Sequence, residues 1–214
     1  MARARIALAL AAAFLLASCL LSPGRFVSTL DIRKDRSFTF TYVGEVIVND
    51  PQFTDGKDTK DAKTAKPAPL TVEAIQRRKE VAEALSKEQG YRSVEYLGGD
   101  KFKVDYALSG TLDRSFVYPV NLDATAIIPW IVAEVRKDGS VRIKAPGFGD
   151  MKQGMPDAGT DKGTAGREGS FTLTTDANRV MQNNEDGAAA GPPARVVWKV
   201  TPTTSTTPTA VIRF

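Results

Sequence analysis

The chain offers one thiol and no imidazole. Cys19 is its single cysteine, and histidine is absent from all 214 residues, which removes the commonest metal ligand and the commonest general base together. Catalysis would then fall to Asp/Glu pairs or a Ser–Lys dyad. The carboxylates gather in NDPQFTDGKD and NNEDG. Neither run sets oxygen ligands at alternate positions ahead of a closing Glu, as a calcium loop must. Glu185-Asp186-Gly187 has the composition of a turn at a strand end. Serines and lysines are scattered, with no motif that nominates a nucleophile. The glycines of GMPDAGTDKGTAG lack the Gly-Lys-Ser/Thr between strand and helix that cradles a phosphate. No catalytic residue, metal ligand or cofactor is expected, and an enzyme is the remotest functional class.

The thiol has a context. Arg3 and Arg5 open the chain, Ile6 to Leu16 is unbroken apolar sequence, and Ala17 and Ser18 are small, the layout of a secretory signal peptide. The apolar run is too short to cross about 30 Å of hydrocarbon, which takes about 20 residues. Leu16-Ala17-Ser18-Cys19 resembles the bacterial lipobox, in which the thiol is alkylated with diacylglycerol before cleavage on its N-terminal side. Thiolate nucleophilicity explains why the residue is cysteine. Two or three acyl chains then hold a protein on a membrane durably, whereas one holds it weakly. The expected organisation is a signal peptide over 1–18, a lipidated tether over 19–25 and a mature chain from Cys19 to Phe214. The expected partner is a membrane, reached through the N-terminal lipid anchor, and the expected place is the cell envelope, facing the periplasm or exterior. Leu20 after the cysteine, in place of Asp, favours an outer membrane where one exists. The bland alternative is a buried cysteine in an apolar segment.

Export reframes the composition. Loss of Arg3 and Arg5 lowers the formal charge of +4 to +2, and no dense Lys/Arg patch remains, so nucleic acid is not an expected partner. No cysteine is left for disulfides, although the compartment would permit them.

A single domain over 26–214 must carry whatever the mature protein does. From Leu30 to Val48 apolar residues alternate around the break Lys34-Asp35-Arg36, which predicts a long β-hairpin. Residues 51–69 lack apolar pattern and read as a mobile loop; Lys57, Lys60, Lys63 and Lys66 there are nearly cancelled by Asp55, Asp58 and Asp61. One helix is expected over 72–88, capped by Thr71, ended by Gly90, with Ile75, Val81, Ala82 and Leu85 on its apolar side. A hairpin follows through Gly98-Gly99-Asp100, with Phe102, Val104, Tyr106 and Leu108 on one face. Another has Asp138-Gly139 at its tip. Residues 147–169 read as a second mobile loop, and strands resume at SFTLTTD, ARVVWKVT and TAVIRF. The fold class is α+β: mostly antiparallel hairpins forming a curved sheet, with one long helix packed on it.

Aromatic residues supply the remaining candidates. Most of them should form a core. A partly hollow sheet–helix interface would instead make Tyr106, Trp130 and Trp198 the lining of an apolar-ligand cleft. Arg77, Arg78 and Lys79 on the helix would then be placed to pair with an anionic headgroup, or else would simply be solvated.

Cys19 followed by STLDIRKDRSFTFTYVGEVIV, and GSFTLTTDANRVMQNNEDG followed by VVWKVT, are similar to the LppM-type lipoprotein domain. In that family a lipidated cysteine precedes a β-hairpin, and an Asn-containing turn, here Asn183 or Asn184, precedes a Trp-bearing strand, here with Trp198. The resemblance implies an envelope-exposed, β-rich domain with a lipid- or glycolipid-binding role and no enzymatic activity; it assigns no binding residue. Two functions stay open: a binder of lipid or another apolar envelope ligand, and a scaffold lipoprotein that offers a sheet edge to a protein partner.

Overall fold

Phe38, Phe40, Tyr42 and Val46 share one face of a strand, Phe102, Val104 and Tyr106 one face of the next, and all seven are buried, as period-two patterning requires. The computed structural model describes residues 20–49, 70–119, 129–149, 166–187, 189 and 193–214. Within them lie β1 (Leu20–Ile32), β2 (Ser37–Asn49), α1 (Val72–Leu85), β3 (Tyr91–Gly98), β4 (Lys101–Thr111), β5 (Ser115–Tyr118) and β6 (Ile131–Val135). β7 (Val141–Lys144), β8 (Glu168–Thr175), β9 (Asn178–Gln182), β10 (Ala194–Val200) and β11 (Thr209–Arg213) complete the set.

The strands divide between two sheets. One has six strands in the order β10-β8-β1-β2-β4-β3, the other five in the order β5-β6-β7-β11-β9. The expected hairpins β1–β2, β3–β4 and β6–β7 are all antiparallel neighbours. The exception to antiparallel pairing is β1 with β8, which run parallel. The α+β class holds. Rings of the larger sheet meet rings of the smaller: Phe38 and Phe40 lie 5.0 and 5.1 Å from Phe116, and Tyr42 lies 5.2 Å from Trp130. Each such buried side chain contributes about 1.5–3 kcal/mol, so this seam is where the sheets are held together.

Thr71 caps α1 by accepting from the Ala74 amide at 3.2 Å, which satisfies one of the orphan donors of the first turn. α1 packs beside β3. Its fully buried line is Ala74, Arg78 and Ala82, an i, i+4 series, with Ile75, Val81 and Leu85 half-buried beside it. The helix is regular only to Leu85; Gly90, at φ 91°, then reverses the chain. A side chain there would be strained and would also meet the Tyr106 ring at 2.5 Å.

Three boundaries differ from those the sequence predicts. Residues 20–25, expected to be part of a tether, belong to β1. Pro23 and Gly24 sit at a register shift in β1, where a missing donor and a missing Cβ are tolerated. The stretch 147–169 begins inside a single 3-10 turn, Pro146–Phe148, whose Gly147 and Phe148 are buried, and it ends inside β8. Residues 150–165 of that stretch, and residues 51–69, lie outside the described residues.

Candidate functional site

Cys19 itself lies outside the described residues, but the residue bonded to it does not. Leu20 opens β1 and pairs with Asn49, so the described structure begins at the residue after the thiol. Around this point several elements converge. The Trp130 indole donates to the Leu21 carbonyl at 3.2 Å, and the Trp130 amide to the Tyr118 carbonyl at 2.7 Å. The Val48 amide donates to the Asp100 carbonyl at 2.8 Å, which ties the β3–β4 turn to the end of β2. Arg78 reaches across from α1 to the Asp100 carboxylate at 2.9 Å.

That last contact changes the role of Arg78. Its side chain is 5% exposed, so its charge is used inside the domain and is not offered to a headgroup. Arg77 and Lys79, its neighbours, are exposed. Adjacent helical residues point about 100° apart, and the structure therefore splits the three cations between inside and outside.

Tyr106, Trp130 and Trp198 are all buried, and each packs against rings of the protein itself. Tyr106 lies 4.7 Å from Tyr118, which lies 5.8 Å from Trp130. Trp198 belongs to the opposite edge strand and stacks on Phe171 at 5.5 Å. Between the two groups the rings are continuous: Phe171 to Phe148 at 5.8 Å, Phe148 to Phe26 at 4.3 Å, Phe26 to Tyr42 at 5.6 Å. The aromatic residues nominated as a cleft lining are thus members of one packed chain of rings. The Trp198 indole donates to Asn183 Oδ1 at 3.1 Å, the oxygen that also accepts from the Thr209 amide at 2.9 Å. Asn183 joins β10 of one sheet to β11 of the other.

Electrostatics at these groups is that of a core. Burial pushes the Tyr42 and Tyr118 phenols well above their ordinary pKa, and the Tyr91 phenol up to about 12; Tyr106 is raised for the same reason. The Tyr42 hydroxyl donates to the Glu45 carbonyl at 2.7 Å. The carboxylates that shift go the other way. Hydrogen bonds from Arg25 to Glu45, from Ser37 to Asp35, from Ser140 to Asp138 and from Lys87 to Glu83 hold each below its usual range, stabilised in the charged form. Among the described residues no group of three or more Asp, Glu, Cys or His could hold a metal ion.

Sequence reasoning missed Arg167. Fully buried, it donates to the carbonyls of Gly147, Gly149 and Thr204, the last at 2.8 Å. It ties the 3-10 turn and the β10–β11 connection to the start of β8. A lone arginine after a glycine-rich stretch gives no sequence signal for this, because its partners are backbone carbonyls.

No protein-family model and no curated protein matches the chain. Among solved structures, the NMR structure of the folded domain of LppM from Mycobacterium tuberculosis aligns over 91% of this chain and 92% of that one, at 14% identity and a TM-score of 0.34. A likeness at that score is too weak to transfer a site or a role. No helix among the described residues is long and apolar enough to cross a membrane.

Proposed function

We propose that this protein is a lipid-anchored, non-catalytic module of the bacterial cell envelope that works through a ligand or partner bound on its surface. The observation that carries this reading is the position of Leu20. Cleavage before Cys19 would remove the signal-like segment and leave β1, paired from its first residue with Asn49, intact. The domain is thus arranged to survive the processing that its lipobox-like sequence calls for.

Ligand contact outside the core is favoured by the ring-to-ring packing of Tyr106, Trp130 and Trp198. An acyl chain entering beside α1 would have to displace the Arg78–Asp100 pair and Ala82. The partner-binding alternative is better served by the sheet face than by its edge. β3, an edge strand, carries register shifts at Tyr91/Ser93 and Tyr96/Gly98 and exposed charges at Arg92 and Glu95, features that blunt strand addition. The outer face of the larger sheet offers exposed Val27 and Val43 opposite one another, next to the Thr29–Thr41 hydroxyl pair at 2.6 Å. In cells, Cys19→Ser is expected to accumulate as a longer, unacylated precursor. Normal maturation of that variant would overturn the lipoprotein reading.

A further inference from the structure

We infer that the end of the domain formed by Leu20, the β3–β4 turn and the start of α1 is the face that sits on the bilayer; this rests on the lipid-anchor reading of Cys19. An anchored domain can stand away from its membrane only if a tether intervenes, and here none does. Leu20 is already in β1, so the acylated residue is bonded directly to a paired strand residue, about 3.8 Å away Cα to Cα.

The side chains at this end fit an interface. Five large apolar residues stand exposed among the described residues, and two of them are here: Val72 at 78% and Leu97 at 45%. Leu97 lies at the end of β3, one residue before the Gly98-Gly99 turn that closes onto Val48. Val72 is the first residue of α1, six residues before Arg78. It lies about 9 Å along the axis from the arginine that is held on Asp100 in that same turn. Lys101, exposed directly after the turn, is placed to meet anionic headgroups. The Gly98-Gly99 tip has open space around it, which lets backbone approach the surface closely.

The opposite end is unlike this one. Lys34, Asp35, Arg136, Lys137, Asp138 and Arg213 are exposed there, a composition suited to water. β1 spans 13 residues, so the far end stands about 40 Å from the anchor when the strand leads away from the bilayer.

The test uses the full chain, acylated in cells and reconstituted in phosphatidylethanolamine–phosphatidylglycerol vesicles that contain a nitroxide-headgroup lipid. Because acylation blocks the native thiol, a second cysteine is a unique labelling site. Bimane is placed in turn on Val72→Cys, Leu97→Cys, Lys34→Cys and Lys137→Cys. Strong quenching is expected at 72 and 97, and none beyond the nitroxide-free control at 34 and 137. Equal quenching at all four sites, or stronger quenching at 34 and 137, would overturn the proposal. The intact mass of the same sample separates the two levels. With Cys19 acylated and 72 and 97 unquenched, only the docking face falls; with Cys19 unmodified, the anchor reading falls and takes the docking face with it.

Discussion

The two ends of the larger sheet are closed by different chemistry. Near Leu20 buried side chains reach inward to the turn and the strand end: the Val48 amide bonds to the Asp100 carbonyl, the buried Trp130 indole to Leu21, and the buried Arg78 to the half-exposed Asp100 carboxylate. At the far end two of the contacts run to carboxylates near water and one is backbone to backbone. The Lys34 amide donates to the Asp176 carboxylate at 2.7 Å, the Leu112 amide to the Arg36 carbonyl at 2.9 Å, and Arg213 reaches Asp138 at 3.5 Å. Arg36, held at φ 66°, lies over the Phe214 ring at 5.1 Å. The first end can tolerate a headgroup neighbour because, among the described residues, Arg78 is already paired with Asp100, and exposed Val72 and Leu97 stand beside Glu73 and Lys101. The second cannot, since its charged groups would have to be desolvated. That asymmetry gives an anchored domain a preferred direction.

The largest effect should come from removing the ring at the centre of the first end. Trp130→Ala deletes contacts to Tyr42 and Tyr118 and the bond to Leu21. Equilibrium urea unfolding is expected to show a loss of about 3–5 kcal/mol. A loss below about 1 kcal/mol would mean that this corner is not where the sheets are held together.

Alkali should break the same core from within. The Tyr91 phenol is raised from 10.0 to about 12 in the folded chain. The stability it contributes is therefore fully present below about pH 10 and is lost as pH rises toward about 12, amounting to roughly 2–3 kcal/mol. Tyr42, Tyr106 and Tyr118 are shifted in the same direction. Absorbance near 295 nm should show these four ionising together with the loss of near-ultraviolet circular dichroism. Stepwise ionisation with the fold intact would contradict their placement in the core.

Arg77 and Arg78 sharpen the contrast between inside and outside. Arg78→Ala leaves Asp100 without its guanidinium and opens space under α1, with an expected cost of about 1–3 kcal/mol in thermal or urea unfolding. Arg77→Ala, on the solvent side, should stay within about 0.5 kcal/mol. Equal effects would place the two side chains in similar surroundings. A combined charge reversal at both positions would mix unfolding with any loss of binding, so headgroup attraction is better read from Arg77→Glu alone.

The smallest expected effect is at Glu45. Arg25 holds its carboxyl below the ordinary value of 4.5, so the stability it adds is present above about pH 4.5 and fades as pH falls through the lowered folded value. Arg25→Ala should flatten the acid limb of the stability profile slightly and leave neutral-pH stability almost unchanged, because the arginine is mostly exposed.

Much of this architecture was legible in the chain. Alternation in Phe38, Phe40 and Tyr42, the Asp138-Gly139 tip and the Thr71 cap are local signals, and each became the element it predicts. What was hidden depends on distant partners. β1 and β8 pair in parallel across more than a hundred residues, and no local pattern encodes that. Two short strands, β5 and β9, pair with β6 and β11 with no two-residue hairpin tip between them to mark the pairing. On a helical wheel Arg78 falls within the arc of Ile75, Val81, Ala82 and Leu85, and only its charge makes it read as surface; Asp100 in a turn beyond Gly90 makes its burial favourable. The ring-to-ring packing of Tyr106, Trp130 and Trp198 was hidden for the same reason: sequence shows that rings share a face, whereas packing decides how they meet. Cys19 is read from its flanking sequence alone, and the described structure begins at the next residue, Leu20.

The most direct test of the account is mass spectrometry of the N-terminal peptide of the mature protein isolated from its own membranes. The account predicts that the peptide begins at Cys19 and carries a diacylglyceryl thioether on the sulfur. An unmodified cysteine, or a mature chain that begins elsewhere, would contradict it.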